Sequence, residues 1–339
     1  SSRRRHTRYF LASRGLGDVY KRQGLDSWVF RPRVLNDVSQ VDISTELLGV
    51  PLRMPVMLPP IGSVQVFEEG GGESVARAAE AFGVLQTLSS VCTPDFDVVA
   101  ERVPGPRVYQ LYLMGDQGWM DDVIRRSIDC GYTGFCLTVD TQTYSRRERD
   151  IAKGFVPPSG SRPDGADFSQ QARITWDTIA HIKNEFDIPL YIKGVNAGED
   201  ARRCVEAGVD VVWVSNHGGR QLDHTRACID ALPEVVGAVE GQVPVIVDGG
   251  FMRGADVVKG LCLGADLVAM GRLEGLAMAA GGAPALVKAL TIIEQEIRTS
   301  MALMGVSELA GLGPALLERA PPMVAPGVLS AFPLLDEGY

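Results

Sequence analysis

Short apolar runs alternate with helical stretches along most of this chain. From Val56 onward, an apolar or β-branched run is followed by a loop and then by a stretch of helical periodicity that ends at a glycine. Continuous apolar runs of this length are typical of strands that are buried on both faces. Eight such strands are predicted, over residues 56–58, 85–88, 107–113, 135–139, 190–193, 211–215, 245–248 and 267–270.

The segments between these runs are predicted to be helices. Thr93 and Pro94 would open one helix as its N-cap and first residue, and Thr175 would cap another. Eight alternating strand–helix units within about 250 residues favour a (β/α)8 or TIM barrel over a doubly wound sheet. The sequence therefore predicts an α/β fold of a single domain.

Composition and charge exclude several classes of protein. The chain has 339 residues, of which 45% are hydrophobic and 22% charged, as in globular proteins. No apolar run approaches the ~18–20 residues of a membrane span. The net charge of −9 argues against nucleic acid as a partner. Six cysteines without C-x-x-C spacing, and only four histidines, predict no metal site and instead reduced core thiols in a cytoplasmic protein.

The first 23 residues differ from the rest of the chain. They carry seven Arg and Lys residues and one Asp, a net charge of +6, which leaves −15 on residues 24–339. Such a start is typical of a transit peptide or a polybasic arm. However, the run SRGLGDVYKRQ over 13–23 looks like a translated transposase sequencing adapter. We therefore expect residues 1–23 to be a non-native leader and residues 24–339 to form the barrel domain.

One connection, residues 141–173, is too long for an ordinary loop between a strand and a helix. Its proline, glycine and serine content predicts an irregular, mobile segment. In a barrel it would open onto the catalytic face, where either a lid or a solvated insert would fit.

Polar residues gather at the carboxyl ends of the predicted strands, where barrels build their active sites. An unpaired buried polar group costs about 1–3 kcal/mol, so a core strand would not end in such groups without a ligand. The residues are, in strand order, Gln110 and Tyr112, Thr138 and Asp140, Lys193, Ser215, His217 and Arg220, Asp248, and Arg272.

The last two strand ends have the composition of a phosphate site. Gly250 and Gly271 leave backbone N–H groups uncovered, and Arg272 adds a fork of donors. The loops after strands seven and eight are the usual phosphate site of a barrel. The alternative, glycines that only make tight turns, is less favoured for the Gly–Arg pair.

The run SNHGGRQ over 215–221 resembles the active-site signature of FMN-dependent α-hydroxy-acid oxidases and dehydrogenases, such as glycolate and lactate oxidases. The resemblance extends from about residue 30 to about residue 307 and implies a (β/α)8 barrel, FMN as cofactor, and oxidation of an L-2-hydroxy acid to a 2-oxo acid. Supporting stretches are TLSS (87–90), YQLY (109–112), LTVDT (137–141), RRE (146–148), IKGV (192–195) and DGG (248–250).

The resemblance assigns catalytic roles to five residues. His217 would be the base, and Asp140 would orient and stabilise the imidazolium that forms. Arg220 and Arg147 would hold the substrate carboxylate, although Arg147 lies in a charged run that is otherwise typical of solvated surface. Tyr112 would donate a hydrogen bond to a substrate oxygen.

The cofactor residues follow from the same resemblance. Lys193 would lie at the N1–O2 edge of the flavin, and the backbone of Pro60, Ile61 and Gly62 would pass beside N5. The remaining cofactor-binding residues would be Ser90, Gln110, Thr138, Ser215, Asp248, Gly249, Gly250, Arg253, Gly271 and Arg272.

This sequence departs from the family pattern at two places that matter. Val91 stands where many members carry Trp, which should enlarge the substrate pocket. Phe251, Met252 and Arg253 follow the glycine pair where two arginines are usual, so Arg272 should carry more of the phosphate contact. A family Tyr upstream of the first strand has no assigned counterpart here.

Two other functions remain possible from the sequence: an FMN-dependent isomerase, and a flavin-binding barrel without turnover. A pair of arginines placed to bind a carboxylate has no evident use with a diphosphate substrate, which disfavours the isomerase. The family relationship further implies a homo-oligomer, often a tetramer. The polar 141–173 segment does not fit a membrane anchor, which favours oxygen as the electron acceptor.

Overall fold

The computed structural model describes residues 16–145, 154 and 168–320. Eight parallel strands form the central sheet: β1 Val56–Met57, β2 Gln86–Ser89, β3 Arg107–Leu111, β4 Gly134–Thr138, β5 Leu190–Val195, β6 Val211–Val214, β7 Val245–Val247 and β8 Leu267–Ala269. A helix follows each strand: α1 Gly71–Phe82, α2 Phe96–Arg102, α3 Gln117–Asp129, α4 Trp176–Glu185, α5 Gly198–Glu206, α6 Cys228–Val239, α7 Gly254–Cys262 and α8 Gly271–Leu303.

The strands lie in chain order around the sheet, and β8 pairs with β1. The remaining gap, between β1 and β2, is bridged by two backbone hydrogen bonds. Leu58 donates to the Leu85 carbonyl at 2.9 Å, and Thr87 donates to the Leu58 carbonyl at 2.8 Å. The sheet is thus a barrel, and the predicted (β/α)8 fold is confirmed.

Along the inner face of several strands, an apolar residue of the barrel interior is followed, two residues later, by a polar residue. Val108, Cys136, Tyr191 and Trp213 are buried in one apolar cluster inside the sheet. Two residues further along each strand, the same face presents a polar side chain near the carboxyl end. Those four residues are Gln110, Thr138, Lys193 and Ser215.

Of the two predicted helix starts, one agrees with the structure and one does not. Thr175 precedes α4 as its N-cap, and its N–H donates to the Thr178 hydroxyl at 3.2 Å. The predicted helix start at Thr93 and Pro94 is wrong, because α2 begins at Phe96 with Asp95 as its N-cap. Two short antiparallel strand pairs outside the barrel were not anticipated, Trp28–Phe30 with Leu317–Arg319 and Thr45–Leu47 with Val50–Leu52.

A helix before the barrel, Leu16–Asp26, which we call the leading helix, packs at the mouth of the barrel. Leu25 and Lys21 are buried, and the Lys21 ammonium donates to the Gly218 carbonyl at 2.7 Å. This helix includes part of the predicted 1–23 leader, whose non-native origin stays a prediction. The predicted mobile connection lies largely outside the described residues, except for residues 141–145, 154 and 168–173.

Within the described ranges, α8 is the one helix whose length and composition would allow it to cross a membrane. It is interrupted at Gly281 and Gly282, and Gly282 adopts a φ of 65°. Leu290 and Ile297 on its inner face are fully buried, and the helix packs against α1 and α7. These buried side chains therefore contribute to the outer layer of the barrel.

The first turn of α8 also buries a carboxyl group. Glu274 is 2% exposed, and its Oε2 has no hydrogen-bond partner among the described residues. Burial raises the pKa of this carboxyl well above its ordinary value, because the loss of hydration disfavours the charged form.

We expect Glu274→Gln to be more stable than the unchanged protein at neutral pH, and about as stable near pH 4.5. The folded protein keeps this carboxyl protonated while the unfolded chain releases the proton. The protonated Glu274 therefore contributes fully to the free energy of unfolding below the ordinary carboxyl pKa. This contribution is lost as the pH rises towards the folded-state pKa, by about 1.4 kcal/mol for each pH unit in between. Urea unfolding across this pH range measures the difference. The exposed Glu69→Gln is the control, and a pH-independent difference for Glu274→Gln would contradict the assignment.

Candidate active site

Three strand ends converge on the imidazole of His217 at the carboxyl end of the barrel. Asp140, just after β4, accepts at 2.9 Å from Nδ1 of the ring. The Tyr112 hydroxyl, just after β3, lies 3.3 Å from Nε2. The His217 and Asp140 side chains are 18% and 12% exposed, so the pair is largely shielded but open to a small ligand.

The backbone around His217 is held in an uncommon conformation. His217 has a φ of 57°, in the left-handed region that non-glycine residues rarely adopt. Its N–H donates to the Ser215 hydroxyl at 3.1 Å, while the Asn216 side-chain oxygen accepts from the Gly219 N–H at 3.0 Å. These bonds stabilise the tight turn His217–Gly219, which directs the imidazole into the barrel mouth.

The electrostatics of the pair favour an ionised Asp140. Burial alone would raise the pKa of the Asp140 carboxyl. The charge and hydrogen bond of His217, together with the Lys193 ammonium, outweigh burial and lower the pKa below its ordinary value. An ionised Asp140 can stabilise a proton on His217.

A second network lies below this pair and contains a buried cation. The Lys193 ammonium donates to the Ser215 hydroxyl at 2.8 Å and lies 3.2 Å from Asp248 Oδ2. The Ser215 hydroxyl in turn lies 2.9 Å from both Asp248 oxygens. Burial alone would lower the pKa of Lys193, but the carboxylates of Asp248 and Asp140 outweigh it and raise the pKa, so Lys193 is charged.

Two buried polar atoms at the same level fit the polar edge of a flavin. Gln110 Nε2 and Thr138 Oγ1 have no hydrogen-bond partner within the described part of the chain, although both side chains are fully buried. Ser89 fixes the Gln110 amide by donating to its Oε1 at 3.0 Å, which leaves Nε2 as the unused donor. Flavin ring oxygens and nitrogens would satisfy both atoms, so these residues would hold FMN together with Lys193.

The loop after β1 contributes a close backbone approach. A Cβ at Gly62 would lie 2.7 Å from Cγ2 of Val91, so glycine is required for this packing. Pro60 and Ile61 precede it in the same loop, and Ser90, next to Val91, accepts from the Tyr112 N–H at 3.1 Å. The structure thus brings the predicted 60–62 segment and Ser90 to the Tyr112 side of the mouth.

The predicted phosphate end is assembled in part. Gly249 and Gly250 adopt φ values of 100° and 95°, which only glycine tolerates easily, and Gly271 begins α8. Arg272 Nη2 donates to the Gly218 carbonyl at 3.3 Å, the same oxygen that accepts from Lys21. Arg253, in contrast, is paired with Glu296 at 2.6 Å, and its side chain is 68% exposed.

The predicted carboxylate clamp is described only for Arg220, since Arg147 lies outside the described residues. Arg220 follows the His217 turn. Its carbonyl accepts from the Ser145 hydroxyl, and the neighbouring Gln221 amide donates to the Thr143 carbonyl at 3.1 Å. These bonds fasten the loop that carries Arg220 to the segment just after β4.

The buried polar residues that were not anticipated from the sequence include Gln171 and Glu274. Gln171 lies in a polar run, SQQAR, that is typical of solvated surface, and nothing in the sequence separates it from its neighbours. Glu274 follows the predicted phosphate-binding Arg272 by two residues and could have been noticed as an acid in a site for an anion. Among the described residues, no group of three or more His, Cys, Asp or Glu side chains could hold a metal ion.

Comparisons with known proteins identify the family of this chain. The family model described as FMN-dependent dehydrogenase matches residues 12–319. "Glycolate oxidase 3" of Arabidopsis thaliana is 38% identical over 301 residues, which cover 83% of this chain and 82% of that protein. "L-lactate oxidase" of Nostoc sp. is 36% identical over 312 residues, covering 85% and 86% of the two chains.

Solved structures show the same relationship. A mandelate oxidase mutant with (S)-mandelic acid has a TM-score of 0.85 and 32% identity, covering 94% of this chain and 95% of that one. A soluble mutant of the (S)-mandelate dehydrogenase of Pseudomonas putida has a TM-score of 0.83 and 29% identity, covering 90% and 91%. The chain therefore belongs to the family of FMN-dependent 2-hydroxy-acid oxidases and dehydrogenases, as an enzyme with FMN as its cofactor.

Proposed function

We propose that this enzyme oxidises an L-2-hydroxy acid to the 2-oxo acid, with His217 as the base. The observation that carries the proposal is the imidazole held between Asp140 and Tyr112, next to the two buried polar atoms that fit a flavin. When bound, FMN supplies the acceptor for the two electrons that leave the substrate.

The hydrogen bonds around His217 favour one tautomer. An ionised Asp140 accepts a hydrogen bond from Nδ1–H, so the proton stays on Nδ1 and the lone pair of Nε2 is directed towards the mouth of the barrel. Nε2 can therefore take a proton from the substrate, and Asp140 stabilises the imidazolium that results. The Tyr112 hydroxyl, within reach of Nε2, would turn to donate to a substrate oxygen.

The other roles follow from charge. Arg220 would hold the substrate carboxylate through its planar pair of donors, and Arg147 is proposed as the second arm of this clamp. Lys193 places a permanent positive charge deep in the site, where it would stabilise the negative charge that a reduced flavin carries. Arg272 and the N–H groups of Gly250 and Gly271 are proposed for the phosphate, and Arg253 for a peripheral contact.

The proposed substrate is larger than glycolate. Val91 is smaller than the Trp that many members of the family carry, which supports a roomier pocket, and some similar solved structures are of mandelate-oxidising proteins. Oxygen as electron acceptor, a homo-oligomeric state and a cytoplasmic location stay predictions. The intact His217–Asp140 pair argues against a flavin binder without turnover.

We expect His217→Ala to retain FMN but to lose reduction of the flavin by substrate, because the proton acceptor is removed while the cofactor contacts remain. A loss of about a hundredfold or more is expected for a general base. Anaerobic stopped-flow absorbance, normalised to bound flavin, measures it. His181→Ala is the matched control, since His181 pairs with Asp121 at 2.9 Å away from the site. Native-rate bleaching of His217→Ala would disprove the base assignment.

We expect Arg220→Lys to raise KM by about tenfold or more and to lower kcat, since a point charge cannot reproduce two parallel hydrogen bonds to a carboxylate. Steady-state kinetics with the best substrate of a 2-hydroxy-acid panel provide the measurement. Arg226→Lys serves as the control, because Arg226 pairs with Glu234 on the surface. If KM is unchanged in Arg220→Lys, Arg220 is not part of the clamp.

A further inference from the structure

Gln171 joins the ends of two barrel strands through a buried side-chain amide. Its Oε1 accepts from the Leu113 N–H at 2.6 Å, just beyond β3. Its Nε2 donates to the Thr138 carbonyl at 2.5 Å, at the end of β4, and to the Thr141 hydroxyl at 3.1 Å. The side chain is 2% exposed.

Each of these contacts adjoins a residue that touches His217. Leu113 directly follows Tyr112, whose hydroxyl lies by Nε2 of the ring. Thr138 lies two residues before Asp140 and Thr141 directly follows it, and the Asp140 carboxylate accepts from Nδ1. A shift of either strand end would therefore change the width of the gap in which the imidazole is held.

We propose that Gln171 is a positioning residue that sets the distance between Tyr112 and Asp140 and so holds His217 in the orientation needed to accept a proton. The inference rests on the proposed function, because it assigns to Gln171 the geometry of the proposed base.

The chemistry of the amide suits this position. One strand end offers an N–H group and the other offers a carbonyl, so the bridge must accept at one side and donate at the other. The two backbone partners also fix which way the amide points, since the flipped amide would face donor to donor and acceptor to acceptor. A carboxylate or an apolar side chain of the same length could not make both bonds.

Gln171 lies close before α4 in the chain. It lies in the short helical turn Phe168–Arg173, and Thr175 caps α4 four residues later. The amide thus connects the two strand ends to the start of α4. The three hydrogen bonds of the amide are the contacts on which a positioning role would depend.

The test compares anaerobic flavin reduction in Gln171→Met and Gln171→Glu with the unchanged enzyme. Gln171→Met keeps the length of the side chain but removes all three hydrogen bonds. We expect the limiting reduction rate per bound flavin to fall about 10- to 100-fold, as for an ångström-scale misplacement, while the apparent Kd for substrate changes less than about threefold. Gln171→Glu retains an acceptor for the Leu113 N–H, so its limiting reduction rate should lie between those of Gln171→Met and the unchanged enzyme.

The pH dependence separates positioning from a general loss of structure. Because Tyr112 and Asp140 both contact the base, Gln171→Met should shift the ascending limb of the reduction rate against pH. A variant that is merely less stable would show a smaller amplitude of flavin reduction without this shift in the pH profile. Gln170→Met, the neighbouring residue, is the matched control and should keep both the rate and the profile.

A reduction rate within about twofold of the unchanged enzyme, with the same pH profile, would overturn the inference. If both Gln171 variants fail to fold, Thr141→Val removes one of the three bonds and should still slow reduction severalfold; an unchanged rate there would also overturn it. His217→Ala is measured alongside. Equal rates for His217→Ala and the unchanged enzyme would contradict the proposed function, whereas a full-rate Gln171→Met beside an inert His217→Ala contradicts only the role of Gln171.

Discussion

Both ring nitrogens of His217 lie within hydrogen-bond distance of side chains from other strands, Asp140 at Nδ1 and Tyr112 at Nε2. Asp140 follows β4, Tyr112 follows β3 and His217 follows β6. The separation of the three residues is therefore set by the spacing of strands around a closed barrel. His217 reaches this place only through a left-handed backbone conformation, a type of strain that costs about 1–3 kcal/mol. The bonds of Ser215 and Asn216 hold that conformation, and the orientation of the His217 imidazole, the proposed base, depends on them.

The Ser215 hydroxyl connects the backbone of His217 to the buried Lys193 ammonium. It accepts from the His217 N–H and from the Lys193 ammonium, and it faces both oxygens of Asp248. The backbone of the base and the proposed flavin-facing cation are therefore parts of one network. With Lys193 and Asp140 both ionised, the site holds opposite charges at fixed positions before any ligand binds, and little reorganisation is needed when charge develops during the reaction.

The sequence was sufficient for the features that follow from periodicity and local motif. All eight strands were placed within a residue or two, because continuous apolar runs between helical stretches have few alternatives. The polar residues at strand ends, such as Thr138 and Ser215, could be identified because side chains alternate between the faces of a strand.

Contacts between distant segments could not be predicted in this way. Gln171 makes its contacts because the chain returns to β3 and β4 after a long connection, and the local sequence around it is that of a surface turn. The pairing of Arg253 with Glu296 depends on how α7 packs against α8, which periodicity does not specify. The start of α2 at Phe96 likewise shows that a Thr-Pro pair need not begin a helix even where a helix follows closely.

Oxidation of a 2-hydroxy acid by bound FMN can be tested by an anaerobic absorbance titration of the purified protein. The acids to be added are glycolate, L-lactate, L-mandelate and a longer-chain 2-hydroxy acid. We expect a yellow protein whose visible flavin band is bleached, with L-lactate or a larger acid more effective than glycolate because of Val91. A yellow protein that none of these acids bleaches would contradict the proposed reaction. A colourless protein that does not take up added FMN would contradict the assignment of Gln110, Thr138 and Lys193 to the flavin.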